Sequence, residues 1–290
     1  MCCCFADCLH SPWARARTTA RLLISPRTLI GFFLISFLGG LVVFVLAAVV
    51  PLQHVRVASN LLVVAGSLFI AVQLVMIYRP VANPVPIASP LAEEWLVGQG
   101  GHAEFVNYHH VGSTQRDAVD IIQVRDGRSH EPGRRELTSY YIYGKPALAP
   151  ADGVVTFVLD GRPDQTIGST DGHYQSGNNV VIDIGGGHYL LIGHLSPGTI
   201  RVKVGDQVRL GQQIANVGNS GNTTEPHLHI QAQTIGTGIG DVTTMDASTL
   251  LRTLHTYPLV LTNVVLTRGA SESQPTYADP RRGDLIRPAS

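Results

Sequence analysis

The sequence predicts an all-β, antiparallel domain preceded by an α-helical transmembrane hairpin. Residues 95–267 are rich in glycine and β-branched residues, and turn residues separate short alternating runs such as VVIDIGGGHYLLIGHL, a pattern typical of antiparallel strands. Two apolar runs precede this region, and 44% of all residues are hydrophobic, a high share for a soluble protein. The mean hydropathy of +0.16 agrees with the presence of membrane segments.

The two apolar runs lie within residues 29–78. The first, LIGFFLISFLGGLVVFVLAAVV at residues 29–50, carries no charge and would span about 33 Å as a helix, enough to cross a bilayer. The second, residues 61–78, contains a serine and a glutamine but reaches the usual lower limit for crossing; a buried or re-entrant helix is the alternative. We expect two transmembrane helices that follow an N-terminal arm of residues 1–28.

Three regions follow the hairpin. Residues 79–94 carry a proline every few positions, which favours an extended, semi-rigid linker. Residues 95–267 make up the predicted β-domain, whose core we place at residues 107–233. Residues 268–290 lack apolar periodicity and are predicted to be disordered.

Composition limits the possible partners. The 21 Lys and Arg residues balance the 21 Asp and Glu residues, and no basic cluster alternates with aromatic residues. The sequence therefore predicts no nucleic-acid partner. The cysteines, which match no complete zinc motif and which we expect to be inert, all lie at the extreme N-terminus: Cys2, Cys3, Cys4 and Cys8. The β-domain therefore has no disulfide.

The strongest chemical signal is the segment PHLH at residues 226–229. In a strand, alternate residues share a face, so His227 and His229 would project together. Two imidazoles beside the turn-rich segment GNSGNTTE suit a metal site, whereas chance placement of an H-x-H pair on a surface is the alternative. His194, at the end of an apolar strand, and Asp120, at the start of another, could supply further ligands or proton-transfer groups.

Together these segments resemble the lysostaphin/LytM-type zinc metallopeptidases, which are peptidoglycan endopeptidases. The resemblance extends over residues 107–233 and rests on three features in the family's order: an H-L-S strand end, a V-x-V-G-D-x-V-x-x-G-Q loop and the P-H-L-H strand. It implies a β-sandwich (hammerhead) peptidase fold, Zn²⁺ as the cofactor and peptidoglycan peptides as the substrate.

The resemblance also implies roles for individual residues. His229 and Asp120 correspond to zinc ligands. His194 and His227 correspond to catalytic histidines, with His227 as the general base toward a water that the metal makes acidic and that attacks a peptide carbonyl. Together with the predicted transmembrane hairpin, the implied activity is that of a membrane-anchored zinc metalloendopeptidase of the cell wall.

One position departs from the family pattern. Arg116 occupies the place of the first zinc-binding histidine, and a guanidinium has no lone pair for a metal. His109 or His110 could replace that ligand, or both could be ordinary polar residues. Adjacent strand residues face opposite ways, and we prefer His110 because its position has the same parity as Asp120. Alternatively, Arg116 replaces the charge of the metal, and the domain is an inactive wall-binding or regulatory module.

A carrier-domain fold is a weaker alternative. The segments APADGVV and VKVGDQVRLGQQIA also resemble biotinyl and lipoyl carrier domains, which attach their cofactor to a lysine at an exposed hairpin tip. Neither Lys145 nor Lys203 lies in such a hairpin motif, so we disfavour this interpretation.

The orientation in the membrane involves a conflict. Four arginines precede the first apolar run and place the N-terminus in the cytoplasm by the positive-inside rule: Arg15, Arg17, Arg21 and Arg27. Two crossings would return the β-domain to the cytoplasm, whereas peptidoglycan lies outside the cell. We give the implied function more weight and predict anchoring in the inner or plasma membrane with an extracytoplasmic peptidase domain.

Overall fold

The computed structural model describes residues 53–78, 81–104, 106–237 and 253–289. The chain divides into two compact units, and the described residues of one form a helix whereas those of the other, from Val81 onward, form β-sheets. The described elements are α1 (Gln53–Tyr78), β1 (Val85–Ile87), β2 (Trp95–Gln99), β3 (Val119–Ile122), β4 (Pro146–Leu148), β5 (Gly153–Leu159), β6 (Asn178–Asp183), β7 (Tyr189–Leu195), β8 (Gln207–Val208), β9 (Gln213–Asn216), β10 (Leu228–Gln233), β11 (Thr256–Tyr257), β12 (Leu259–Leu261), β13 (Val264–Arg268), β14 (Ser271–Ser273) and β15 (Leu285–Pro288).

Helix α1 contains the second apolar run and begins eight residues before it, at Gln53 instead of residue 61. Apolar side chains such as Leu62 and Phe69 are exposed along it. Within the described part of the chain, no helix is both long and apolar enough to cross a membrane. The first apolar run and the N-terminal cysteines lie outside the described residues, so the transmembrane hairpin remains a prediction.

One large antiparallel sheet dominates the β-unit. Its strand order is β14-β13-β15-β2-β3-β10-β7-β6-β5-β8, and β11 also pairs with β10. Two small sheets accompany it: β4 pairs antiparallel with β9, and β1 pairs parallel with β12. The predicted antiparallel β-domain is therefore confirmed, but in place of two matched sheets the structure has one large sheet and two small ones that share its core.

The central strands of the sheet are apolar at consecutive positions, so apolar side chains pack on both of its faces. In β6, Val180 and Ile182 pack into the main core, while Val181 between them packs on the opposite face against Leu191 and Leu254. Each fully buried aliphatic side chain contributes roughly 1.5–3 kcal/mol to folding. A rigid, doubly covered sheet therefore supports the side chains at the ends of its central strands.

Two predicted boundaries are corrected by the structure. The supposed linker of residues 79–94 contains β1, whose Val85 and Ile87 are buried against the main core. The supposed disordered tail after residue 268 contains β14 and β15, and β15 pairs with both β13 and β2. An ion pair between Arg268 and the buried carboxyl of Asp284 also ties this segment down. Such short strands and ion pairs leave no apolar periodicity in the sequence.

Candidate metal centre

Neighbouring strands place two of the expected ligands side by side. His229 in β10 lies opposite Asp120 in β3 and, on its other side, opposite Gly193 in β7. Residues directly opposite in an antiparallel pair have Cβ atoms about 4.5–5.5 Å apart. Asp120 Oδ1 lies 3.1 Å from His229 Nδ1, so the register of the sheet alone brings together an imidazole and a carboxylate from distant parts of the chain.

His109 completes a three-residue cluster with Asp120 and His229. It lies in a 3-10 helix, Tyr108–Val111, whose N-cap residue Asn107 accepts a hydrogen bond from the backbone N–H of His109. This turn places His109 Nε2 at 2.9 Å from Asp120 Oδ1. One potential ligand atom from each of the three side chains lies within 4.8 Å of the other two, and all three residues are buried.

His110 lies outside this cluster, which corrects the predicted preference for it. Its ring contacts Arg116, with Nε2 at 3.4 Å from Nη1 of the guanidinium and Nδ1 at 3.4 Å from the backbone carbonyl. Arg116 itself is exposed. The parity argument fails because residues 108–111 form a helical turn instead of a strand, so alternation does not apply. Because Arg116 is exposed, it does not take the place of a metal ion in the buried cluster.

His227 lies beside the cluster. Its Nε2 is 3.7 Å from Asp120 Oδ1 and is buried without a hydrogen-bond partner. Its Nδ1 lies 2.8 Å from the backbone carbonyl of Glu225 and 3.1 Å from Thr223 Oγ1. The carbonyl can only accept, so Nδ1 carries the proton and Nε2 presents a lone pair toward the site. As predicted, the two histidines of the PHLH segment face the same side.

His194 is the fourth histidine at the site. Its ring centroid lies 4.5 Å from that of His227, and its Nδ1 lies 2.8 Å from the backbone carbonyl of Ser220. The backbone of His194 is in the left-handed region, at φ 59, which is uncommon for a residue other than glycine. Strained backbone of this kind clusters at functional sites, where surrounding structure holds it in place.

Charge at the centre follows from burial and from the short contacts. Burial raises the pKa of Asp120, but attraction to His109 and His227 and the short contacts with His109 and His229 together outweigh it, so this pKa lies well below its usual range. Burial, together with the other histidines, lowers the pKa of His194. Burial also lowers the pKa of His227, against the attraction of Asp120. The ionised form of Asp120 is therefore favoured, as are the neutral forms of His194 and His227.

Two further residues contact the cluster and were not predicted. Tyr108 donates a hydrogen bond of 2.7 Å from its hydroxyl to Asp120 Oδ2, and Gln231 Oε1 lies 3.1 Å from His229 Nε2. The signal for Gln231 was present, because it follows His229 by two positions in a strand and therefore shares its face. Tyr108 had no comparable signal, since its placement depends on the 3-10 turn.

The residues present fit a zinc ion. Imidazole nitrogens and a carboxylate oxygen are ordinary zinc ligands, and catalytic zinc sites use three protein ligands with one position open. His109, Asp120 and His229 supply such a set. The unpartnered Nε2 of His227 lies close to the same carboxylate oxygen, which suits a group that acts on a molecule bound at the open position.

Fold and site together define a β-sheet protein with a buried His-Asp-His cluster that could hold a metal ion. Residues 139–240 match the model of peptidase family M23. His194, His227 and His229 lie inside the matched residues, whereas His109 and Asp120 precede them.

Individual relatives are similar to this chain over limited lengths. The chain is 38% identical over 88 residues to the peptidoglycan DD-endopeptidase ShyA of Vibrio cholerae serotype O1, a match that covers 30% of this chain and 17% of the relative. It is 35% identical over 117 residues to lysostaphin of Staphylococcus staphylolyticus, a match that covers 36% of this chain and 24% of the relative. The crystallised catalytic domain of lysostaphin from Staphylococcus simulans has 21% identity and a TM-score of 0.29, covering 55% of this chain and 90% of that domain. The chain thus spans less than a quarter of the length of these two curated relatives.

Proposed function

We propose that this protein is a zinc metalloendopeptidase that hydrolyses peptide bonds of peptidoglycan and thereby remodels the cell wall. The observation that carries the proposal is the convergence of His109 Nε2, His229 Nδ1 and a carboxylate oxygen of Asp120, with His227 beside them. The match to the family model supports peptidase chemistry. Similarity to a peptidoglycan DD-endopeptidase and to lysostaphin supports peptidoglycan as the substrate.

The proposed mechanism assigns one task to each group. His109, Asp120 and His229 would hold Zn²⁺, which when bound supplies a Lewis acid that polarises a carbonyl and makes water more acidic. His227 acts as the general base, because the Glu225 carbonyl holds its Nδ1–H and leaves the Nε2 lone pair directed at the site. His194 is held in the same way by the Ser220 carbonyl and offers a second imidazole for proton transfer to the substrate.

The inactive-module alternative depended on the loss of a ligand at Arg116. His109 supplies an imidazole where that ligand was thought to be missing, and the exposed Arg116 leaves the centre to the buried residues. A guanidinium beside Asp120 would have favoured the binding module. The groups that shift the pKa of Asp120 are histidines and not Arg116, which favours the enzyme.

The proposal is tested first on the full chain as purified. Inductively coupled plasma analysis is expected to give about one zinc per chain, as a three-ligand site requires. The protein should release muropeptides from isolated peptidoglycan, lose this activity to a chelator and recover it with added zinc. A chain that stays free of stoichiometric zinc after loading would contradict the hydrolase proposal.

We further propose that the apolar N-terminal region anchors the protein in the inner or plasma membrane, with the β-unit outside the cytoplasm. The support is the uncharged run at residues 29–50 and the extracytoplasmic position of the proposed substrate. Added protease should leave the β-unit intact in intact cells that retain an outer barrier and should degrade it in spheroplasts. Protection in both preparations would place the β-unit in the cytoplasm.

A further inference from the structure

We propose that Gln231 is a positioning residue that fixes the tautomer of His229, and that it does so as the middle member of a buried chain of side-chain amides. The inference rests on the proposed metal centre and extends it beyond the ligands themselves. His229, Gln231 and Gln233 occupy alternate positions of β10 and therefore lie on one face of the strand. All three are at most 1% exposed.

The side chains of these residues contact one another in sequence. His229 Nε2 lies 3.1 Å from Gln231 Oε1, and Gln231 Nε2 donates a hydrogen bond of 2.7 Å to Gln233 Oε1. Gln231 Nε2 also donates to the backbone carbonyl of Thr114, at 3.2 Å. Gln233 Nε2 donates to two backbone carbonyls, those of Ile235 and Thr237, each at 2.7 Å.

The backbone carbonyls determine the direction of every hydrogen bond in this chain. A carbonyl oxygen can only accept, so the amide nitrogen of Gln233 must face Ile235 and Thr237, which turns its oxygen toward Gln231. The amide nitrogen of Gln231 must then face Gln233 and Thr114, which turns its oxygen toward His229. Rotation of either amide by 180° would leave buried donors and acceptors facing groups of their own kind, which disfavours the rotated form.

The consequence falls on the imidazole. An amide oxygen at His229 Nε2 requires a proton on that nitrogen, so Nδ1 of the neutral ring keeps its lone pair. Nδ1 is the atom that lies 3.1 Å from Asp120 Oδ1, within the ligand cluster. Gln231 therefore presents the metal-binding nitrogen of His229 in its binding form and holds the ring against rotation.

The choice of an amide instead of a carboxylate also has a chemical effect. A carboxylate that accepts the outer N–H of a ligating histidine raises the basicity of that ligand and tightens metal binding. The neutral oxygen of Gln231 orients the ring without adding a charge. Among the described residues of the ligand cluster, Asp120 thus remains the one side chain with a negative charge.

Zinc affinity of the full chain, measured by competition with a chelator, tests this role. Gln231→Met keeps the size of the side chain but removes the acceptor, and we expect zinc affinity to fall about 10- to 100-fold. Gln233→Met is the matched control, because it removes an equally buried amide from the same face of β10 and leaves the Thr114 contact of Gln231. Gln231→Glu restores an acceptor and should bind zinc more tightly than Gln231→Met.

Equal affinities in Gln231→Met and Gln233→Met would overturn the role of Gln231 while leaving the metal centre intact, provided that the wild-type protein binds zinc. A wild-type protein that binds no zinc would instead contradict the proposed function itself.

A second measurement reads the wild-type chain and uses a variant only to assign its signal. In ¹⁵N-histidine spectra, His229, identified by the signal that disappears in His229→Gln, should carry a proton on Nε2, the nitrogen that faces Gln231 Oε1. A His229 ring without a proton on Nε2 would overturn the proposal.

Discussion

His109→Ala is expected to abolish stoichiometric zinc binding and, with it, peptidoglycan cleavage. The substitution removes one of three ligands and leaves the buried carboxylate of Asp120 without its closest imidazole, at 2.9 Å. Loss of a ligand should weaken zinc binding by more than the roughly 100-fold upper range for changes in outer contacts. Zinc content by inductively coupled plasma analysis and affinity by chelator competition measure the effect, and muropeptide release measures the activity.

The matched control is His110→Ala, one residue further along the same 3-10 turn. Among the described hydrogen-bonding partners, the ring of His110 contacts only Arg116, so removal of the ring should leave zinc content and cleavage close to wild type. Arg116→Ala should be similarly silent. If His110→Ala lost zinc while His109→Ala retained it, the ligand set derived from the structure would be wrong and the original sequence preference would be right.

The contrast between these neighbouring histidines shows where sequence reasoning reached its limit. Alternation within strands correctly paired His227 with His229, and the apolar run around Asp120 correctly predicted β3. Alternation cannot be carried through a turn, however, and the ten residues between His109 and Asp120 include the rest of a 3-10 helix and a succession of turns. The choice of His109 depends on tertiary placement of that turn, which the hydrophobic pattern does not encode.

The additional strands illustrate a second limit. Strands β1, β14 and β15 are three or four residues long, and the three residues of β14 are exposed. These strands form by pairing with strands that are distant in the sequence; β1, for example, pairs with β12. A proline-rich or charged segment carries the composition of a linker or tail even where a sheet edge is available to it. Only the large central strands, buried on both faces, are long enough to be recognised from sequence.

His227→Gln is expected to separate proton transfer from metal binding. Glutamine retains a polar side chain near Asp120, but its amide cannot accept and return a proton as a neutral imidazole does. Because His227 is not in the ligand cluster, zinc content should remain at the wild-type value. The rate of peptide cleavage should fall about 10²- to 10⁴-fold, the contribution typical of a positioned general base.

The control for this variant is His173→Gln, which makes the same chemical change at an exposed histidine and should alter neither zinc content nor rate. Three outcomes then have distinct meanings. Retained zinc with a large loss of rate supports His227 as the general base, since its Nε2 is buried, unpartnered and 3.7 Å from the carboxylate oxygen that joins the cluster. Loss of zinc would instead make His227 a ligand, and an unchanged rate would transfer the proton-accepting role to His194, whose ring lies 4.5 Å away.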